Sequence, residues 1–234
     1  MNHATLSTSL GTLFPPGAVG ADLRGPGDPG LLFAAEAVHV ERAVPKRAQE
    51  FAAGRLCARR ALAEFGVIDF PIRVADDRQP IWPDSFVGSI THTEGYGAAA
   101  VAERRRMRAL GLDSEIVGQV KKPLWTAICT PGELAWLRSL PPSEQAAAAA
   151  VIFSAKEAFY KCQYPLTRER LNFFDAVVEA VTQPASTGTF SIRSTRRIAF
   201  EDRTSMPVQG RYLIHGDEVT AGIAIPVAAC PDPA

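Results

Sequence analysis

Two stretches of the chain place apolar residues at the spacing of an α-helix. Residues 43–66 form the first stretch, and Gly66 supplies a stop signal at its end. Residues 141–165 form the second, with Ser143 as the predicted N-cap and Pro165 as the predicted end. We therefore predict two long helices, the first with an apolar stripe of Phe51, Ala58, Ala61, Leu62 and Phe65.

Shorter apolar or alternating segments between turn residues predict strands. The predicted strands are 87–92, 95–103 and 108–116, followed later in the chain by 171–181, 188–194, 210–216 and 218–227. A short strand with a turn is predicted for 31–41, short helices for 121–140, and irregular or turn-rich structure for 14–30 and 76–86. The chain is thus predicted to be of the α/β (α+β) class.

A weak internal repeat accompanies this layout. SITHTEGYGAAAVA, residues 89–102, aligns with YLIHGDEVTAGIAI, residues 212–225, and this places His92 opposite His215. Each segment is a strand, a turn and an apolar strand, and each follows a long helix. The repeat suggests two similar halves packed together, and a ligand site is expected between them.

Composition changes this picture little. The chain of 234 residues carries 25 basic and 25 acidic side chains, so an anion site must come from local clustering. The four cysteines are scattered without a C-x-x-C pair, which argues against a disulfide framework and against a zinc site. The N-terminus lacks a signal-peptide pattern and no apolar run is long enough to span a membrane, so a soluble, cytoplasmic protein is expected.

Two arginines border the apolar stripe of the first helix. On a helical wheel Arg47 and Arg55 fall within roughly 40° of Phe51, whereas Arg59 and Arg60 rotate towards solvent. A buried arginine needs an anion, which favours a binding site. The alternative is that both side chains extend to a carboxylate at the rim of the core.

The second helix carries charges on a similar stripe. Glu157 shares the stripe with aromatic residues, and Lys156 and Lys161 flank it. Two structural interpretations remain open here. Ser154-x-x-Glu157 is compatible with a capping box if a helix begins at Ser154, and Glu157 is compatible with a surface i,i+4 pair with Lys161.

Two acids stand at the end of the predicted strand 108–116. Asp113 and Glu115 are two positions apart, so they point to the same face and repel each other unless a cation lies between them. With Glu157 they offer three oxygen ligands of the kind that suits Mg²⁺. Solvated acids on an edge strand, and a core role for His92, remain alternatives.

The basic residues suit a ligand with several phosphates. They are Arg47, Arg55, Arg78, His92, Lys156 and Lys161. Neither a P-loop nor a G-x-G-x-x-G motif is present, so the usual nucleotide-binding folds are not supported. The residues therefore indicate a Mg²⁺-dependent enzyme that acts on a polyphosphorylated molecule.

Five motifs in order resemble the 4′-phosphopantetheinyl transferases. They are FAAGRLCARRAL, RQPIWP, GSITHTEGY, GLDSE and FSAKEAFYK, and together they cover most of the chain. The resemblance is strongest to the bacterial class that activates siderophore, polyketide and non-ribosomal peptide assembly lines. It implies two α/β halves related by a pseudo-twofold axis, which we place at 1–116 and 117–234. The adenosine part of coenzyme A is then expected to bind on the side of the first half.

The resemblance also implies roles for individual residues. Asp113, Glu115 and Glu157 match the three acidic ligands of Mg²⁺, with Mn²⁺ as an alternative ion. Lys156 and Lys161 match residues that hold phosphates or pantetheine and assist catalysis. The adenosine end of coenzyme A, with its 3′-phosphate, is expected near Arg47, Arg55, Arg78, Pro80, Thr91 and His92.

The implied reaction joins coenzyme A to a carrier protein. A serine of an apo acyl or peptidyl carrier attacks the β-phosphate, 3′,5′-ADP leaves, and Glu157 is the expected base. One residue departs from the family pattern, because Ser114 stands where an apolar residue is usual, and a buried hydroxyl there needs a hydrogen-bond partner.

The expected partner is an acidic carrier protein, and neither nucleic acid nor a membrane is expected as a partner. Lys121, Lys122, Leu124 and Trp125 are predicted to form the docking edge, unless Leu124 and Trp125 are core residues. A monomer is expected because one chain supplies both halves. The competing functions are a Mg²⁺-dependent phosphoesterase acting on a nucleotide, a non-catalytic coenzyme A binding module, and an inactive relative.

Overall fold

The computed structural model describes residues 6–7, 9–182, 186–198 and 207–227. Its first sheet has the strand order β1-β2-β4-β3, with every neighbouring pair antiparallel. The strands are β1 (Leu6–Ser7), β2 (Ala18–Arg24), β3 (Phe86–Thr93) and β4 (Tyr96–Glu103). Helices α1 (Ala34–Ala37) and α2 (Pro45–Ala63) belong to the same half, and α2 buries its Ala-rich face against β4.

The second sheet has the order β5-β9-β8-β7-β6 and is also antiparallel. Its strands are β5 (Met107–Ile116), β6 (Ala176–Val181), β7 (Thr187–Ser194), β8 (Val208–His215) and β9 (Glu218–Pro226). Three helices cover it: α3 (Lys122–Ile128), α4 (Pro131–Ser139) and α5 (Pro142–Thr167). The mixed class, with two sheets and several helices, confirms the predicted α/β (α+β) class.

The hydrogen bonding of β5 bears on the division of the chain. The predicted boundary at 116 assigns β5 to the first half, yet β5 pairs with β9 over almost its whole length. A division by sheet would fall in the turn 104–106 instead. The division at 116 as a domain boundary stays a prediction.

The two sheets meet where their edge strands β3 and β5 lie side by side. Two side-chain hydroxyls of β3 accept hydrogen bonds from the backbone of β5. Ser89 Oγ accepts from Leu112 N at 3.0 Å, and Thr91 Oγ1 accepts from Ser114 N at 2.9 Å. These side-chain bonds replace the backbone hydrogen bonds that a neighbouring strand would make. The N–H groups of Leu112 and Ser114 at the edge of β5 are therefore satisfied by the other half of the molecule.

Each half also contains a buried glutamate with the same pattern of contacts. Glu36 of α1 binds Arg59 of α2, and Glu133 of α4 binds Lys156 of α5. Both carboxylates are at most 5% exposed. In each half the glutamate further accepts from the residue before its helix and from the segment after the long helix: Phe33 and Ile72 for Glu36, Thr130 and Val178 for Glu133. This recurrence supports the two similar halves more directly than the sequence repeat does.

The sequence repeat aligns the two hairpins one position out of register. Both hairpins have two-residue turns, and the last strand pairs are Thr93 with Tyr96 and His215 with Glu218. His215 therefore corresponds to Thr93 and not to His92. Because successive strand residues point to opposite faces, the alignment of the two histidines has no structural counterpart.

Several predicted elements are wrong or displaced. Residues 14–30 contain strand β2, and 31–41 contain helix α1 where a strand was predicted. Helix α5 starts after Pro141, so Ser143 is not its N-cap, and Pro165 lies inside its last turn. Among the described residues, no helix combines the length and the apolarity needed to span a membrane.

Candidate active site

The site is built on the end of β5, where α5 crosses it. The approach is close, because a Cβ atom at Gly111 would lie 1.9 Å from the carbonyl oxygen of Ala158. Asp113 is buried, and its Oδ1 accepts hydrogen bonds from Lys161 Nζ at 2.7 Å and from Thr91 Oγ1 at 3.4 Å. Its Oδ2 is buried without a hydrogen-bond partner among the described residues. One oxygen of this carboxylate is therefore available to a ligand.

The other two predicted acids lie in the same electrostatic environment. Burial raises the pKa of Glu157, and the charges of Asp113 and Glu115 raise it further, while Lys161 opposes them. Burial and the charge of Asp113 likewise raise the pKa of Glu115. In the part of the chain that the structure describes, no three acid, imidazole or thiol side chains are gathered as a finished metal site. The acids nonetheless repel one another, and a cation between them would lower their energy.

The structural alternatives for α5 do not hold. The helix runs from Pro142 through Ser154, so Ser154 cannot cap its start. The ammonium group of Lys161 reaches across to Asp113 Oδ1 and to the carbonyl oxygen of Leu112, the latter at 3.2 Å. Lys161 is thus committed to β5, and Glu157 carries its charge into the junction between the halves.

A basic cavity of about 260 Å³ lies on the side of the first half. Its lining includes Arg47, Arg55, Arg78 and His92, so the structure brings together the four predicted cations of this half. Arg55 is 7% exposed, donates from Nε to the carbonyl oxygen of Ile72, and stacks 3.8 Å from the centre of the Phe51 ring. Burial lowers the pKa of Arg55 to about 10, which indicates a guanidinium group held with little solvent to compensate its charge.

Arg47 and His92 form a direct contact in this cavity. Arg47 Nη1 donates to His92 Nε2 at 2.7 Å, so the imidazole accepts at that nitrogen. Glu50 lies 3.7 Å from both partners and was missed by the sequence analysis, although its position three residues after Arg47 puts it on the same helical face. Arg59, predicted to face solvent, is instead largely buried against Glu36.

We expect His92 to stay neutral well below the usual range of histidine. Burial and the charges of Arg47, Lys161 and Arg55 lower its pKa to about 4. Because the unfolded chain binds this proton near pH 6.5, the contribution to stability is present above pH 6.5 and is lost as the pH falls towards 4. A ¹³C-detected NMR titration, assigned with His92→Gln, measures the midpoint. A midpoint near 6.5 would show that neither burial nor the neighbouring cations act on His92.

A larger groove of about 940 Å³ continues from this cavity and is lined by Arg78, Pro80, Tyr160, Tyr164 and Lys161, among others. Arg78 lines both spaces and adopts a positive φ of 71° in a tight turn, a backbone conformation that few arginines adopt. The rings of Tyr160 and Tyr164 stack with centroids 5.4 Å apart. The sequence pattern places both tyrosines on the aromatic stripe of the second long helix and gives no indication that they line a groove.

Lys156 lies away from this group of residues. It is 3% exposed, and its ammonium group donates at 2.8 Å to Glu133 Oε2 and to the carbonyl oxygens of Ile128 and Phe173. An ammonium group has three hydrogens, and all three are used. The prediction that Lys156 holds a phosphate therefore has no support in these contacts.

Of the four residues predicted to form the docking edge, three are exposed and one is buried. Lys121 and Lys122 are exposed, and Leu124 is 51% exposed. Trp125 is instead part of the core and donates from Nε1 to the carbonyl oxygen of Val120 at 2.8 Å. The alternative of a core residue therefore holds for Trp125 and not for Leu124.

Three acids beside a basic cavity, where two antiparallel sheets meet, indicate a transferase or hydrolase that acts on phosphorylated substrates. Family comparison narrows this class. Residues 35–102 match the 4′-phosphopantetheinyl transferase N-terminal domain, and residues 109–214 match the 4′-phosphopantetheinyl transferase superfamily. The chain belongs to this superfamily, whose members use coenzyme A to modify carrier proteins, and it is an enzyme of this kind.

Individual relatives agree with this assignment. The 4′-phosphopantetheinyl transferase Svp of Streptomyces mobaraensis is 41% identical over 72% of this chain and 68% of its own length. PptT of Mycobacterium tuberculosis is 40% identical over 68% of this chain and 70% of its own length. Enterobactin synthase component D of Escherichia coli is 35% identical over 56% of this chain and 62% of its own length.

Proposed function

We propose that the protein transfers 4′-phosphopantetheine from coenzyme A to a serine of an apo acyl or peptidyl carrier protein, with release of 3′,5′-ADP. The serine oxygen forms a bond to the β-phosphorus of the pyrophosphate, the bond from that phosphorus to the bridging oxygen breaks, and the serine proton passes to the enzyme. The observation that carries this proposal is the meeting of the acids on β5 and α5 with the basic cavity of the first half, within one junction.

The donor set fits Mg²⁺, or Mn²⁺ in its place. Asp113 has a buried oxygen without a partner, and Glu115 and Glu157 have raised pKa values in its field, as expected for acids that await a cation. These three residues would hold the ion, which when bound would neutralise charge on the pyrophosphate of coenzyme A. Thr91 and Lys161 both donate to Oδ1 of Asp113 and so orient its carboxylate.

The remaining residues bind and orient the substrates. Arg47, Arg55, Arg78 and His92 hold the 3′-phosphate and adenosine end, and Pro80 shapes the groove beside them. Lys161 stabilises the negative charge that develops on the phosphate, since it lies between Asp113 and the groove. Glu157 receives the serine proton, directly or through water, and its raised pKa suits a base.

An acidic carrier protein docks on a surface formed by Lys121, Lys122, Leu124 and Phe174. The two lysines supply positive charge, and the two apolar side chains are 51% and 47% exposed. Lys156 of α5, next to Glu157, donates to the carbonyl oxygen of Phe173, which precedes Phe174, and to that of Ile128 at the end of α3, so both parts of this surface are linked to α5. Because both halves of the junction come from one chain, the enzyme acts as a monomer.

Incubation with an apo carrier protein, coenzyme A and Mg²⁺ is expected to add one phosphopantetheine to the carrier, as measured by intact-protein mass spectrometry. The gain should vanish with EDTA and with Asp113→Asn, which alters the acid cluster while keeping its shape. Carriers from fatty-acid, polyketide and peptide systems should be tested in parallel.

Other outcomes would identify the competing functions. Cleavage of coenzyme A without any carrier would indicate a phosphoesterase. Binding of coenzyme A without cleavage or transfer, across all three carrier types, would indicate a binding module and would overturn the proposal.

A further inference from the structure

The residue between the two acids of β5 faces away from them. Ser114 is 4% exposed, and its Oγ lies 2.9 Å from Oγ1 of Thr220, the residue directly opposite on β9. On the other side of the strand, its backbone N–H donates to Thr91 Oγ1. Ser114 is therefore held by its main chain to the first half and by its side chain to the second sheet.

This hydroxyl pair lies behind the acids, where the two sheets meet. The main chain of Ser114 links it to β3 of the first sheet, and Thr220 links it to β9 of the second. The pair thus ties the end of β5 to both sheets.

An ion pair joins the first sheet to β9 as well. Arg24, at the end of β2, donates through both terminal nitrogens to Glu218 of β9, at 3.2 and 3.3 Å. Its guanidinium group also lies 4.9 Å from the centre of the Tyr96 ring. Glu218 is two residues before Thr220 on the same face of β9, so this ion pair to the first sheet lies next to the hydroxyl pair along the strand.

We propose that Ser114 and Thr220 are positioning residues that fix the acids of β5 relative to the first half. The proposal rests on the proposed function, in which those acids hold the metal ion. The backbone at Ser114 sets the direction of its neighbours Asp113 and Glu115, and a small rotation of the strand would move both carboxylates. Residues that orient metal ligands in this way commonly change metal affinity by about 10-fold or more when they are removed.

The test compares isosteric variants that remove one hydroxyl each. Thr220→Val and Ser114→Ala should each raise the Mg²⁺ concentration for half-maximal transfer by about 10-fold, with the KM for coenzyme A at saturating Mg²⁺ changed less than about twofold. Binding of Mn²⁺ to the protein with coenzyme A, measured by EPR without a carrier, should weaken in parallel. Ser191→Ala, which removes a buried hydroxyl of β7 away from Ser114 and Thr220, is the matched control and should change neither value.

The double variant Ser114→Ala/Thr220→Val separates positioning from the simple need of a buried hydroxyl for a partner. The double variant removes both hydroxyls, so no buried hydroxyl is left without its partner. Recovery of normal Mn²⁺ binding in this variant would overturn the proposal. Unchanged Mn²⁺ binding in both single variants would overturn it as well. Absence of transfer by the unmodified enzyme would count against the proposed function instead, while the EPR comparison would still test the positioning.

Discussion

Replacing Lys156 with methionine is expected to lower the free energy of unfolding by about 3–5 kcal/mol, as for other buried ion pairs that lose one partner. The reason is that Glu133 would keep its charge in the core without a cation, and two carbonyl oxygens would lose their donor. Methionine fills much of the volume of the lysine stem, so a cavity contributes little. Urea denaturation followed by circular dichroism measures the change.

Two comparisons make this result specific. The double variant Lys156→Met/Glu133→Gln removes both charges, and its amide can still accept from Val178 N, so it should recover much of the lost stability. Lys161→Met, five residues later on the same helix, should cost less stability than Lys156→Met because the Lys161 side chain is 29% exposed and solvent can reach the site it leaves, yet it should impair transfer. If Lys156→Met kept full stability and lost only coenzyme A affinity, Lys156 would be a phosphate ligand after all.

This contrast shows what helical periodicity could and could not assign. Lys156 and Glu157 are neighbours in sequence, but one helical step of 100° turns one side chain into the core and the other into the junction. The sequence pattern places both residues on one helix but does not show which residues contact them. The ion-pair partner of Lys156 is Glu133 of α4, and the packing of α4 on α5 brings the two side chains together.

The fold was predictable where one element carries its own pattern. Helix α2, strand β5 and the hairpin of β3 and β4 were found because apolar periodicity and stop signals coincide with the element. Strand β2 was missed because proline and glycine flank it on both sides, yet pairing with β4 makes it a strand. The N-cap of α5 was missed for a related reason: Pro141 and Pro142 already start the helix.

The site was predictable in composition more than in detail. The structure gathers the predicted cations Arg47, Arg55, Arg78 and His92 around one cavity, while the roles assigned to the three acids and to Lys161 stay predictions. The partners of Ser114 were not foreseen, because Thr220 lies more than a hundred positions away and only strand register places it opposite. Contacts set by register between distant strands leave no local signal in the sequence.

Replacing Glu157 with glutamine is expected to reduce transfer by about 10²–10⁴-fold, the usual contribution of a general base. At the same time the variant should be more stable than the unmodified enzyme in the absence of metal. Burial and the charges of Asp113 and Glu115 disfavour the ionised form of Glu157, so at pH 7 the folded state bears the cost of that charge. Removing it should add about 0.5–2 kcal/mol, in the range of other stabilising substitutions at functional sites.

With saturating Mg²⁺ and coenzyme A, the unmodified enzyme should become more stable than Glu157→Gln. A ligand that binds only the folded state stabilises it in proportion to its affinity, and the variant has lost one carboxylate of the proposed metal site. Thermal unfolding with and without Mg²⁺ and coenzyme A measures both effects, and Glu144→Gln in the first turn of α5 is the control. If Glu157→Gln were less stable than the unmodified enzyme without metal, or if it retained transfer, Glu157 would have a structural role. If the order of the two stabilities reversed on adding Mg²⁺ and coenzyme A, the cost of the Glu157 charge would be linked to its function.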